Sequence, residues 1–397
     1  MAETSVPPTR VRWIVFALAC STSWMLYLHR YAFALIKPEL VEQWGIETDQ
    51  LGWLDFTFSA FYTFPQLPLG VLGDVVGVRF VLTGMILVWS LGLALHAAAP
   101  STLTMYGARA TLGVGQAGVF AALTRVTKTW FRASIRTKAQ GMIGVFAGRG
   151  GGLCTLAFGP LLFAVFGWRS VIYVCAGMGV VQAIAFFQLF RNAPREHPWV
   201  NAAEASLIEG DGADLSAASD AKPQKMSFRE LFARMSGHSQ LNVFALNVQS
   251  ILSTIADNMY SNWIPLFLAQ VYGFKKELWL SALPLLGGAI GGAVGGWLND
   301  YFIARTGNVR WSRTGVALVG KGLAAAILMA ALLVFYDRPY WFCSMLFLVK
   351  FFGDWSLTTS WGVITDIGGK ATASVFAFNN SVAGIGRCWP RRCMASW

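Results

Sequence analysis

An all-α polytopic membrane protein is the fold class this sequence predicts, and three observations predict it. Of 397 residues, 55% are hydrophobic and only 13% are charged, whereas a soluble domain carries roughly 25% charge. The apolar residues come in runs long enough to cross a bilayer, which takes about 20 residues each. The net charge of +11 is dispersed in short basic clusters between those runs. That pattern argues against nucleic acid as a partner and fits the Lys/Arg bias of membrane topology.

Bounded by charges, Gly or Pro, the runs lie near 13–35, 51–72, 80–99, 102–124, 139–165, 168–190, 241–270, 279–301, 315–335 and 341–366. The first could be mistaken for a secretory signal, with Ala17 to Cys20 as its cleavage region, but the similar runs that follow favour a first membrane helix. An eleventh begins near Ala371 and reaches Ile385. There Gly386 gives way to Arg387, Cys388, Trp389, Pro390, Arg391 and Arg392, a tail that does not cross lipid. With the N-terminus assigned to the cytoplasm, inner segments hold 18 Lys and Arg, and the outer loops hold 5: Lys37, Arg169, Lys275, Lys276 and Arg338. The expectation is a multi-pass protein of the cell inner membrane, lipid on all sides, with a cytoplasmic N-terminus.

Residues 191–240 form the one long polar stretch, with Glu204, Glu209, Asp211, Asp214 and Asp220 among Ala, Ser and Gly. It reads as a cytoplasmic linker. It separates an N-terminal six-helix bundle, 1–190, from a C-terminal helical bundle, 241–397, that is incomplete and carries the aberrant tail 387–397. An internal repeat supports two halves: Gly70-Val-Leu-Gly-Asp74 closes the second span and Gly296-Trp-Leu-Asn-Asp300 the eighth. Parallel repeats of this kind build secondary transporters.

Five basic residues fall inside spans: Arg30, Arg109, Arg149, Lys321 and Lys350. A guanidinium in lipid costs about 2.5–3.5 kcal/mol even on a lenient insertion scale, so Arg30 and Arg109 are expected to face a wet cavity. A planar fork suits a carboxylate or phosphate; the alternative is an arginine that pairs with a membrane Asp and only holds helices together. Gly70, Gly73, Asp74, Gly77 and Arg79 are read as a tight inner turn, with Asp300 as the repeat's acid. This turn resembles the G-x-L-x-D-R-x-G-R-R loop motif of the major facilitator superfamily, with Val75 and Phe80 where that motif has basic residues. The resemblance implies two six-helix halves, here with the second truncated in the eleventh helix.

Further pieces resemble one branch, the anion:cation symporter family of sugar-acid and organic-anion carriers. They are Tyr27-x-x-Arg30, Arg109 through Gly113 with Gly115, Gln116 and Ala117, Thr129-Trp130-Phe131-Arg132 and Gly167-Trp168-Arg169. Glu196-His197-Pro198, Val200-Asn201-Ala-Ala-Glu204 and Tyr260-x-x-Trp263-x-Pro265 complete the set. The resemblance implies that Arg30 and Arg109 bind a small organic anion, with Tyr27, Tyr260 and Asn380 as candidate contacts to hydroxyls. It also marks two departures. The family has Asp before the first arginine and Glu seven residues after the second, both implicated in proton coupling, where this chain has His29 and Gln116. Protons or a counter-anion as coupling partner stay open, with His29, Asp257 and Asp354, along with Asp55, as candidate carriers. Structural pairing of these acids with Lys321 or Lys350 is the alternative.

Enzyme signatures do not hold up. Gly113-x-Gly115-x-x-Gly118 lies inside an apolar helix rather than after a strand, and Gly315-x-x-x-x-Gly320-Lys321 lacks the Ser/Thr of a phosphate loop. The six cysteines and four histidines show no metal spacing, so no cofactor, metal or catalytic role is read. The expected function is secondary transport of a small organic anion by alternating access. A non-transporting membrane receptor and an organophosphate:phosphate exchanger are the alternatives; the exchanger wants a second basic residue in the seventh span, where Asp257 stands. If the break after Gly386 is a frameshift, another reading frame of the gene encodes an apolar continuation. Sequencing the locus checks this, and a stop codon or charged residues in every frame would refute it.

Overall fold

The computed structural model describes residues 7–208, 237–275, 277–357, 379 and 382–384, and every regular element among them is helical. The first apolar run becomes α1 (Val11–Trp44), which ends at a left-handed Gly45 with φ 62°. Lys37 and Pro38, read from sequence as outer loop, are inside this helix, and Lys37 is fully buried. The boundary rule fails because a carboxylate on the next helix receives the ammonium, as described below.

The second span is two helices, α2 (Thr48–Thr63) and α3 (Gln66–Val76), broken at Phe64-Pro65. Gly70, Gly73 and Asp74 are helical, within α3, rather than in a turn; the Asp74 side chain lies outside the described set. The turn narrows to Gly77, whose φ of 98° strains any residue with a Cβ. A Cβ there would also meet the Asn192 amide at 2.6 Å. Asn192 instead accepts the Arg79 backbone N–H at 3.0 Å, and the Arg79 guanidinium donates to the Phe187 carbonyl at 2.8 Å. The loop motif thus ties α4 (Val78–Ala98) to the end of α9 (Trp168–Leu189).

Between them, the fourth span is α5 (Thr102–Ala117) and α6 (Val119–Trp130), joined at Gly118. Ser101 caps α5 in a reciprocal box with Thr104. The fifth runs from α7 (Ala133–Gly141) through a π-helical turn at Met142–Ala147 into α8 (Gly148–Phe166). In the second half, α10 (Gly237–Asn262) and α11 (Ile264–Tyr272) are broken at Trp263 beside Pro265. A 3₁₀ turn at Glu277–Ala282 leads into α12 (Leu283–Thr306), which carries an exposed Asp300, then α13 (Val309–Val334) and α14 (Pro339–Gly353). The far end of the tenth run with Asp366, Asn380, and the break after Gly386 with its tail lie outside the described residues.

Among the described residues, six helical stretches are long and apolar enough to cross a membrane, four in the first half and two in the second. The second and fourth spans are each divided into helices too short for this count, and the seventh is broken at Trp263, its longer piece α10 being too polar. Interruptions at membrane depth are tolerated where the freed backbone groups face protein or a cavity. Large apolar side chains such as Leu103, Leu161, Leu318 and Leu333 stay exposed around the helices, as a lipid-facing surface requires.

The polar stretch after α9 is built into the first half as far as it is described. Glu204 is fully buried and accepts from the backbone N–H groups of Val11 at 3.0 Å and Arg12 at 3.2 Å, filling the open donors at the start of α1. Asn201 accepts the Thr9 N–H at 3.2 Å alongside it.

Close helix approach explains the glycine pattern of α5. A Cβ on Gly115 would strike the Trp89 backbone nitrogen of α4, and one on Gly113 would sit 2.8 Å from the Phe58 carbonyl of α2. The apparent dinucleotide fingerprint is therefore a packing seam shared by three helices. Likewise a Cβ on Gly320, in the apparent phosphate loop within α13, would meet the Phe352 carbonyl of α14 at 2.5 Å. Gly115→Val is expected to destabilise the purified protein by about 1–3 kcal/mol through overpacking, read as a lowered thermal midpoint in detergent.

Candidate functional site

Two cavities lie along α10. The smaller, about 190 Å³, is walled by Tyr27, Arg30, Tyr62 and Arg109 from the first half and by Thr254, Asp257 and Asn258 from α10. The larger, about 380 Å³, lies between α10, α13 and α14, against Ser250, Ser253, Tyr260, Lys321, Lys350 and Asn379. Thr254 and Asp257 border both, so the two spaces meet along one turn of α10.

Arg109 and Asp55 form the centre of a buried triad. Arg109 Nη2 donates to Asp55 Oδ1 at 3.0 Å, Lys37 Nζ donates to Asp55 Oδ2 at 2.6 Å, and Arg109 Nε donates to the Leu54 carbonyl at 3.2 Å. The three side chains are each no more than 4% exposed. One carboxylate thus serves two cations, which is the geometry that lowers the cost of charge in an apolar surround. Aromatic faces take up the rest: Phe33 lies 4.0 Å and Phe58 4.5 Å from the Arg109 guanidinium, and Trp263 4.1 Å from the Lys37 ammonium. Lys37 Nζ also donates to the Asn262 carbonyl at 2.8 Å, joining α1 to the second half.

Arg30 is held differently. Its Nε donates to Gln116 Oε1 at 3.0 Å, and Gln116 Nε2 in turn donates to the Leu26 carbonyl at 3.2 Å. Rings of Tyr62 at 4.5 Å, Tyr27 at 5.1 Å and Phe58 at 5.4 Å surround the guanidinium. Among the described residues no carboxylate stands within ion-pair distance of it. Gln116 therefore orients the fork without neutralising it.

In the second half Lys350 binds Asp257, and also donates to Asp354 Oδ1 at 2.8 Å. Asp354 Oδ2 accepts from Arg149 Nη1 of α8 at 2.7 Å, an ion pair across the two halves. Asp257 is the open member, its side chain 54% exposed where the cavities meet. Lys321 Nζ donates to Ser253 Oγ at 3.3 Å. Counting this set, six intramembrane cations (Arg30, Lys37, Arg109, Arg149, Lys321, Lys350) face three acids (Asp55, Asp257, Asp354).

Of the residues singled out from sequence, Arg30, Arg109, Tyr27, Asp257, Asp354 and Tyr260 border these cavities. Gln116 touches the smaller one through Arg30. His29 turns the other way: it is fully buried, edge-on to Trp89 with ring centroids 6.5 Å apart, and borders neither cavity. Asn380 lies outside the described residues, while its neighbour Asn379 accepts from Ser250 Oγ at 3.0 Å. Sequence reading missed Tyr62, Ser250, Ser253 and the partnership of Lys37 with Asp55. Lys37 and Asp55 carried a signal, opposite charges at the outer ends of adjacent spans.

The halves interlock at the end where α1 finishes. Ala34 and Leu35 of α1 and Leu156 of α8 pack on Ala282 and Leu285, and Lys275 Nζ reaches Glu42 at 2.7 Å. Broken helices around a cavity lined by both halves form a recognisable transporter architecture, and the profile of the Major Facilitator Superfamily matches residues 19–389. The chain belongs to the major facilitator superfamily. It is accordingly a multi-pass membrane protein of a transporter family.

Several of its relatives are named for organic acids. It is 29% identical to a probable sulfoacetate transporter, SauU, of Cupriavidus necator over 95% of this chain and 85% of that one. It is 25% identical to the D-galactonate transporter of Escherichia coli, over 95% and 88% of the two chains, and 24% identical to a probable galactarate/D-glucarate transporter, GudP, of Bacillus subtilis, over 92% and 81%. In fold it is similar to a bacterial homologue of the human lysosomal transporter Spinster, solved inward-facing and unoccupied. The TM-score is 0.77 at 17% identity, with 96% of this chain and 81% of that one covered.

Asp55→Asn should leave Lys37 and Arg109 sharing a neutral amide inside the bundle. Breaking such a pair costs about 3–5 kcal/mol, and the expected outcome is a steep loss of thermal stability in detergent that Asp55→Glu partly restores.

Proposed function

We propose that this protein carries a small organic anion, a sugar acid or related carboxylate, across the inner membrane by alternating access. The observation that carries the reading is Arg30: an always-charged fork inside a membrane helix, aimed into a cavity shared by both halves and oriented by an amide instead of a carboxylate. A ligand carboxylate supplies the missing counter-charge, and a bidentate pair gives it direction. Tyr27 and Tyr62 shape the pocket around it. Arg109 acts behind this contact, holding Asp55 and with it the wall of the cavity. The bundles 1–190 and 241–397 move as the two rocking halves around the 191–240 connection.

With the N-terminus in the cytoplasm, the interlocked end at Ala34, Leu156 and Leu285 is the outer gate, and the cavity opens inward. This polarity follows from the Lys/Arg bias.

Proton coupling in this reading runs through Asp257. Gln116 does not titrate, and His29 packs away from the cavities. Asp257 is half exposed at their junction, and its protonation would release Lys350 to Asp354 alone. Uptake then depends on an acid that touches both the cavity and the charge network joining the halves.

The test uses the full chain in proteoliposomes with labelled galactonate, glucarate and sulfoacetate. Wild type should accumulate one of them under an inward proton gradient and exchange it in counterflow. Arg30→Ala should abolish both, roughly a hundred-fold or more. Asp257→Asn should abolish gradient-driven accumulation while exchange persists. Uptake indifferent to collapse of the gradient would remove the proton from the mechanism, and binding without flux would make the protein a receptor.

A further inference from the structure

We propose that the ligand is a dianion, with one anionic end on Arg30 and the other on Lys321, and with an uncharged middle. This rests on the organic-anion reading above and narrows its substrate class.

Lys321 lies midway along α13, inside the membrane span Val309–Val334, with its ammonium at the wall of the larger cavity. An ammonium at that depth is costly unless paired or wet. Its described partner is a neutral hydroxyl, Ser253 Oγ at 3.3 Å, and among the described residues no carboxylate stands within ion-pair distance. The neighbouring Lys350 takes both nearby acids, Asp257 and Asp354. Lys321 is thus for the second half what Arg30 is for the first: a charge that the protein orients and does not neutralise.

The two cations are linked by open space. Arg30's cavity extends to Thr254 and Asp257, and Lys321's cavity begins at the same two residues. Ser253 to Asp257 is one turn of α10, about 6 Å of rise, so a ligand of a few carbons can follow that turn. Thr254, within that turn, offers an O–H to a ligand hydroxyl, and the hydrogen-bonded pair Ser250 and Asn379 lines the cavity just beyond Ser253. At the junction stands the half-exposed Asp257 carboxylate, already paired with Lys350, so that stretch offers no free cation to a third anionic group. Anionic groups are favoured at the two ends and not between them, which describes a short dicarboxylate or a sulfonate-carboxylate rather than a monocarboxylate.

Binding of paired ligands differing by one charge tests this, measured by calorimetry and thermal shift on the detergent-purified full chain. D-Glucarate is compared with D-gluconate, and sulfoacetate with methylsulfonylacetate. The expected result is that at least one dianion binds wild type roughly ten-fold or more tighter than its monoanion, the worth of one charge-assisted contact. Lys321→Gln should reduce that ratio toward one, Lys321→Arg should keep it, and Arg30→Ala should weaken both members of the pair. Equal affinities within both pairs in wild type, or a ratio that survives Lys321→Gln, would overturn the dianion assignment while leaving the organic-anion reading intact. Folded wild type that binds no member of either pair would overturn both. Should Lys321→Gln not fold, the wild-type ratio and Lys321→Arg still decide.

Discussion

A charge buried at membrane depth has neither water nor counter-ions to lean on, and the inner architecture of this protein follows from how each charge meets that constraint. Asp55 answers for Lys37 and Arg109 together. Asp354 answers for Arg149 and shares Lys350 with Asp257. Because these partners sit on different helices, satisfying the charges also fixes the helices: α1 against α2 and α5, and α8 against α14. The same pairings leave Arg30 and Lys321 over, and those two line the cavities. Structure and candidate function are in this sense one distribution of charge.

Packing allows the distribution to be so dense. The α5 glycines bring the backbones of α2 and α4 within contact distance, which carries Arg109 to Asp55 and Gln116 to Arg30. Breaks at Phe64-Pro65, Gly118 and Trp263 fall in spans close to the cavities, while α9, which borders neither cavity, runs unbroken. Irregular backbone is placed where polar surroundings can satisfy it.

Much of this was legible in the residues. Apolar runs located the helices, though the first helix runs nine residues past the expected 35 to Trp44, the repeated G-x-L-x-D announced two related halves, and charges within spans pointed to the cavity walls. What stayed hidden depends on helix rotation. Nothing local tells that His29 turns toward Trp89 while Arg30, one residue on, turns toward Tyr62. The tie between Lys37 and Asp55 was obscured because Pro38 imitates a helix end, and proline near a span's end breaks a helix only when no tertiary contact compensates. Glu204, counted among the acids of a solvated linker, proved to be the cap of α1, because an open helix start attracts whatever carboxylate the chain can fold back to it.

Gln116 has one more consequence. An acid in its place could neutralise Arg30 whenever the pocket was vacant; an amide leaves the vacant pocket positively charged at every physiological pH. A carrier of this kind crosses its cycle in two electrical forms, one shielded by its cargo and one bare. Membrane voltage, worth about 2.3 kcal/mol per elementary charge per 100 mV, then acts chiefly on the bare form. Under the organic-anion reading, the membrane potential therefore bears on the return of the empty protein, alongside the proton that Asp257 takes up.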